Sequence, residues 1–210
     1  MSEPTSPAAP PPVFAEPTAL GLLGLSIGCA ALLPIAFGFA VTPAALRTAA
    51  MFCLLFGGGG QLIAGLMGLA NKNLLGGTMF TTFAFNWIMN WWALAGLAEG
   101  RLPDATVILS VDACFLVIFV VLAYAFAFHS KLLFAFLADI CALYVFRILR
   151  EVSHSPVFAL PVALATVVLM LIALWLAFAI LVNGTAGRAV FTIPGPLLTP
   201  TAPAPAKAAG

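Results

Sequence analysis

Six long apolar stretches, separated by short polar breaks, organise this chain. They run at about Thr18–Ala40, Ala44–Ala70, Leu74–Ala98, Ala105–Phe128, Leu132–Leu149 and Val157–Val182. The breaks are "VTPAALR", "NKN", "EGRLPD", "HSK" and "REVSHSP", and the sixth stretch ends at "NGTAGR". Each stretch is roughly the 20 residues that a helix needs to cross a hydrocarbon core. None alternates polar with apolar as a barrel strand does, and unpaired backbone is not tolerated in lipid. The pattern predicts an all-α polytopic membrane protein with six transmembrane helices in one bundle. Short links make successive helices antiparallel neighbours.

Composition sharpens this reading. The chain is 63% hydrophobic and 7% charged, against about 25% charged in a soluble domain, and its mean hydropathy is +1.16. Eight Lys and Arg residues and a net charge of +1 provide no basic cluster for nucleic acid. With the N-terminus inside, Lys72, Lys131, Arg188 and Lys207 fall at inner ends and Arg47, Arg101, Arg147 and Arg150 at outer ends. Four positive charges against four give the positive-inside rule no side to favour. Residues 1–15 and 185–210 are Pro/Ala-rich and read as disordered or extended ends flanking a transmembrane domain over 16–184. The four cysteines lie singly inside apolar runs and read as small buried hydrophobes. No HExxH, phosphate-binding loop or GxSxG motif is present, so neither enzyme activity, a metal nor a cofactor is expected.

Candidate chemistry concentrates in "GGGGQLIAGLMGLANKNLLGGTMFTTFAFNW", Gly57 to Trp87. Gly58, Gln61, Gly65 and Gly68 share one face of the second helix, where missing side chains let another backbone approach. Gln61 brings a buried amide that requires either a partner on a neighbouring helix or a place on a path. On the third helix Thr78, Thr82, Asn86 and Asn90 stand at successive i+4 positions, drifting over about 120° and spanning roughly 18 Å of axis. Thr hydroxyls commonly bond back to their own helix, whereas two stacked asparagines in lipid point to a polar seam or a pathway. Trp87, Trp91 and Trp92 suit packing or an interfacial belt. Asp112, Asp139 and Arg147 interrupt apolar runs, which in a membrane makes them functional candidates. Asp112 lies near a helix start, Asp139 is deepest by sequence, and Arg147 is too far from Asp139 to pair with it. His129 and His154 border loops and read as surface groups.

Two segments resemble the acetate uptake transporter family, which includes the bacterial succinate–acetate permeases. The family opens its first span with a motif close to Asn-Pro-Ala-Pro-Leu-Gly-Leu. Here it stands as "EPTALGL", with Pro17, Leu20, Gly21 and Leu22 matching and Glu16 in place of the asparagine. In the second segment Gly57, Gly58, Gln61, Ala64, Gly65, Asn73, Gly76, Thr78, Phe80, Thr81 and Trp87 fall on matching positions without a gap. The resemblance implies six-helix protomers assembled as a homohexamer in the plasma membrane, each with a narrow pore for acetate and sometimes succinate. It implies a constriction at Leu25, Phe83 and Ile140, with Phe83 replacing a tyrosine; the polar positions Gln61, Thr78, Thr81, Thr82, Asn86 and Asn90 are the candidates for lining the path. The expected partners are a small carboxylate and the lipid bilayer. Two other readings stay open: a channel for a neutral solute such as urea, a short amide or ammonia, and a membrane sensor or assembly subunit without transport.

Overall fold

The computed structural model describes residues 11–200. Six long helices follow in order: α1 (Thr18–Ala36), α2 (Pro43–Ala70), α3 (Leu74–Leu97), α4 (Ala105–Ala127), α5 (Lys131–Ser153) and α6 (Ala159–Ala186), the last entered through a 3-10 turn at Pro156–Phe158. No strand occurs among the described residues. All but α3 are long and apolar enough to cross a bilayer by themselves. At 24 residues α3 reaches about 36 Å. It is less apolar because it carries three threonines, two asparagines and three glycines. The fold is thus that of a multi-pass, all-helical membrane protein.

Local signals set the helix ends. Thr42, Asn73, Asp104 and Ser130 cap the starts of α2, α3, α4 and α5 by accepting a backbone N–H, each worth about 1 kcal/mol. The first helix stops four residues sooner than its apolar run, because the Pro34 carbonyl accepts from both Phe39 and Ala40 and Gly38 turns left-handed at φ 75°. That closure is a Schellman-like stop.

Glycine decides the packing of the first three helices. Within α2, Cys53–Gly60 forms π-helical turns that include the four-glycine run. A Cβ on Gly57 would collide with the Trp87 indole, and one on Gly28 would lie 3.0 Å from the same ring. Trp87 therefore fills a notch cut by glycines of two helices, and it is buried while Trp92 faces outward. Gly24 of α1 meets Gly60 of α2, and Gly65 and Gly68 meet Gly77 of α3. Side-chain-free contact of this kind drives association where lipid removes the hydrophobic force between helices.

The remaining helices complete a ring. Pairing runs α1–α2–α3 on one side and α4–α5–α6 on the other, closed by an extensive α1–α6 contact. Between α3 and α4 the backbones barely touch, and α1 has no close backbone approach to α5. Large side chains fill that middle. Phe83 lies 4.5 Å from Phe119 between ring centroids, and Phe119 stacks on Tyr144 at 5.6 Å.

The chain after α6 is ordered against the bundle, unlike the separate tail that its composition suggests. Gly187 reverses direction at φ 61°. Asn183 then accepts from the Val190 and Phe191 amides and donates to the Phe191 carbonyl. Trp175 donates to Thr192, Ser130 to Pro194, and the backbone amides of Lys131, Leu197 and Leu198 complete the strap. At the same end Phe14 and Asn71 exchange a reciprocal pair of hydrogen bonds. The outermost parts of the two Pro/Ala-rich ends, residues 1–10 and 201–210 with Lys207, lie outside the described residues.

Gly57→Ala should destabilise the bundle by about 1–3 kcal/mol by overpacking against Trp87. Gly184, with open space around it, should accept alanine at no cost. Thermal unfolding in mild detergent compares the two, and equal melting temperatures would contradict the notch.

Candidate functional site: two cavities and an apolar plug

Three helices carry stripes that run the length of the gap between the two halves of the ring. On α1 the stripe is Leu22, Leu25 and Cys29. On α3 it is Met79 and Phe80, then Phe83, then Asn86 and Asn90. On α5 it is Leu133, Leu137, Ile140, Tyr144 and Arg147, with spacings of four and three residues that keep one face. A cavity of about 220 Å³ lies at the end bearing the chain termini, lined by Thr18, Leu22, Asn73, Met79, His129 and Leu133 among others. A second cavity of about 300 Å³ enters from the opposite end, lined by Cys29, Phe83, Asn86, Asn90, Ile140, Tyr144, Arg147, Arg150 and Thr166 among others.

Between them the stripes are solid. Leu25, Phe119, Phe136 and Leu137 are fully buried, and Phe83 and Ile140 form the floor of the arginine-lined cavity. From Leu22 to Cys29 is seven residues, so the plug is only about 10 Å thick along α1. The expected constriction residues Leu25, Phe83 and Ile140 are all in this buried cluster. Leu25 sits one turn below the cavity floor and touches neither cavity lining.

The polar positions divide. Asn86 is 6% exposed and lines the arginine-lined cavity, and its side-chain carbonyl makes no hydrogen bond among the described residues. Asn90 lines the same cavity and donates to the Asn86 backbone carbonyl. Thr82 is half-buried and lines neither cavity, and Thr78 is exposed on the outer surface of the bundle. Helical drift explains this split. Each i+4 step turns a residue by about 40°, so three steps carry the first rung off the face that holds the last. Thr81 bonds back to the Gly77 carbonyl and faces Gly65. Gln61 is fully buried on α2, whose neighbours are α1 and α3, and lines neither cavity. Thr81 belongs to the glycine-lined seam, whereas neither amide atom of Gln61 has a hydrogen-bond partner among the described residues.

Other cavity groups are not evident from the α3 ladder. Tyr144 presents a buried hydroxyl with no partner among the described residues, beside the phenyl ring of Phe119. Thr166 of α6 lines the wall while bonding back to Val162. Arg147 pairs across helices with Asp112, Nε to Oδ2 at 3.1 Å, and its guanidinium lies 5.4 Å from the Tyr144 ring. Antiparallel order carries the signal for this pair. Asp112 lies near the start of α4 and Arg147 near the end of α5, so adjacent helices bring them to one depth. Asp139 has one buried carboxylate oxygen without a partner among the described residues and lies outside both linings. At the first span's start, the Glu16 carboxylate accepts from the Thr18 amide and hydroxyl, a favourable place for a negative charge.

A solved structure described as that of the bacterial acetate channel SatP has the same fold. It superposes with a TM-score of 0.77 at 19% sequence identity, covering 86% of this chain and 99% of that one. No protein-family model matches the chain, and no curated protein matches it. At that identity the likeness establishes the arrangement of helices.

In a background with all four cysteines replaced by serine, Asn90→Cys should react with a small water-soluble thiosulfonate at least about tenfold faster than Phe85→Cys. Phe85 is 57% exposed, but toward the acyl chains, where little thiolate forms. Equal rates would mean that the cavity beside Asn90 holds no water.

Proposed function

We propose that the chain is a membrane transport protein, a channel or carrier, for acetate and similar small monocarboxylates. The path runs inside a single chain, from the arginine-lined cavity through the Leu25–Phe83–Ile140 plug to the terminal cavity. One observation carries the reading: two cavities approach each other from opposite ends of the bundle and stop at a thin apolar barrier. The fold likeness to an acetate channel and the resemblance of the Gly57–Trp87 segment support the same substrate class.

The chemistry is suited to that task. A carboxylic acid titrates near pH 4, so the anion dominates at neutral pH. Moving it into an apolar ring costs several kcal/mol unless donors replace its water. Beside the plug stand the amide of Asn86 and the hydroxyl of Tyr144, which donate without holding the anion as tightly as a buried cation would. Weak, successive contacts permit release as well as binding. Asn90 and Thr166 extend the polar wall outward.

A neutral solute would find the same amides and hydroxyls. The unpaired Arg150 in the cavity lining favours the anion, and competition between acetate and urea in one vesicle preparation discriminates. A subunit without transport would not need matched cavities. The resemblance also brings a homohexamer in the plasma membrane into this reading. An apolar groove of about 450 Å³ between α1 and α2, lined by Ile27, Ala31, Pro34, Ala45, Ala49 and Phe52, supports contact with another copy.

Purified chain in lipid vesicles should give saturable acetate uptake. Asn86→Leu should lower it by about ten- to a hundredfold, the loss of one hydrogen bond to a charged permeant worth roughly 1.5–3 kcal/mol. Uptake equal to that of empty vesicles would end the proposal.

A further inference from the structure

Four arginines lie at the end of the bundle where the larger of the two pathway cavities opens, and they are not equivalent. Arg101 is paired with Glu99 at 2.5 Å. Arg147 is paired with Asp112, whose side chain is 5% exposed while that of Arg147 is 24% exposed. Arg47 and Arg150 form no ion pair among the described residues. Of these two only Arg150 lines the cavity, one helical turn outward from Arg147. Its acidic neighbour Glu151 faces a separate shallow hollow shared with His154 and Arg150, without pairing. The cavity lining therefore holds two guanidinium groups, one of them compensated from behind by a buried carboxylate. The terminal cavity contains no Arg or Lys.

We propose that Arg150 is an anion-recruiting site at the mouth of the pathway, with a small carboxylate as its ligand, and that Asp112 limits the cavity's grip on anions by neutralising Arg147. This deepens the transport reading and rests on it for the identity of the ligand. A guanidinium at the mouth concentrates anions in a low-dielectric funnel. A second, uncompensated guanidinium further in would hold the anion beside the plug and slow its departure. Asp112 prevents that. Among the described residues no arginine or lysine lines the terminal cavity, so the two directions of flux differ in apparent affinity.

The test uses the full chain in vesicles and in detergent. Half-saturation for acetate uptake should rise with ionic strength in the wild type, because salt screens an exposed charge. Arg150→Gln should raise half-saturation about fivefold at low salt and flatten the salt response, with maximal rate unchanged, and Arg150→Lys should restore both. Asp112→Asn should lower half-saturation and maximal rate together. An arm independent of transport reads the cavity through Trp87, whose ring also lines it, made the sole tryptophan by replacing Trp91, Trp92 and Trp175 with phenylalanine. Arg150→Gln should then weaken quenching by iodide and leave quenching by neutral acrylamide unchanged. Carboxylate flux whose salt response, together with iodide quenching, is indifferent to Arg150 would overturn the proposal. Arg150-dependent iodide quenching without any carboxylate flux would overturn the transport reading and leave the anion site standing.

Discussion

Close approach of α1, α2 and α3, glycine against glycine, determines where space is left in this bundle. In a bilayer, helices gain nothing from hiding apolar surface from one another, so contact must come from packing. The chain supplies it by omitting side chains at Gly24, Gly60, Gly65, Gly68 and Gly77 and by seating Trp87 in a glycine notch. Three helices thereby become one slab. Of the other three, α6 packs closely on α1, whereas α4 and α5 are spaced from the slab by aromatic and aliphatic side chains, and the cavities lie in that gap. The π-helical turns at Cys53–Gly60 belong to this device. They let one helix present glycines to two neighbours at once, and such turns recur where helices serve a function.

The arrangement along the gap follows the cost of dehydration. At its centre nothing polar is exposed, so an ion cannot rest there. On either side the walls change to amides, hydroxyls and, at one end, guanidinium groups. Asp112 and Arg147 illustrate how charge is managed in such a place: a half-buried cation is tolerable because a carboxylate on the next helix faces it. Along the cavity wall the chain keeps an uncompensated charge only at the outermost position, Arg150, where water still reaches.

Much of the architecture was legible in the sequence, because hydropathy reads length and lipid permits few alternatives. Six apolar runs became six helices, with ends displaced by a few residues where Pro34 and Gly38 stop α1 early. The packing role of Gly58, Gly65 and Gly68 followed from their spacing. The site was legible only in part. Asn86 and Asn90 share the cavity, whereas Thr78 turned away, because an i+4 series is not a straight line on a 3.6-residue helix. Gln61 and Thr81 line neither cavity, Thr81 because it bonds back to its own helix against Gly65. Tyr144, Arg147 and Arg150 do stand three residues apart on one face of α5, but their link to Asp112 of α4 and Thr166 of α6 is tertiary, and no local pattern carries it. The strap after α6 escaped because Pro/Ala-rich composition says nothing of an Asn183 amide positioned to hold it.

The account depends on a carboxylate resting against uncharged amides inside a single chain. Solid-state NMR on membranes measures this contact through the dipolar coupling between 13C-carboxyl acetate and 15N-labelled asparagine side chains. The account predicts dephasing of the acetate signal in the wild type and its loss when Asn86 and Asn90 are both replaced by leucine. Acetate that shows no coupling to any asparagine, at concentrations that saturate uptake, would contradict it.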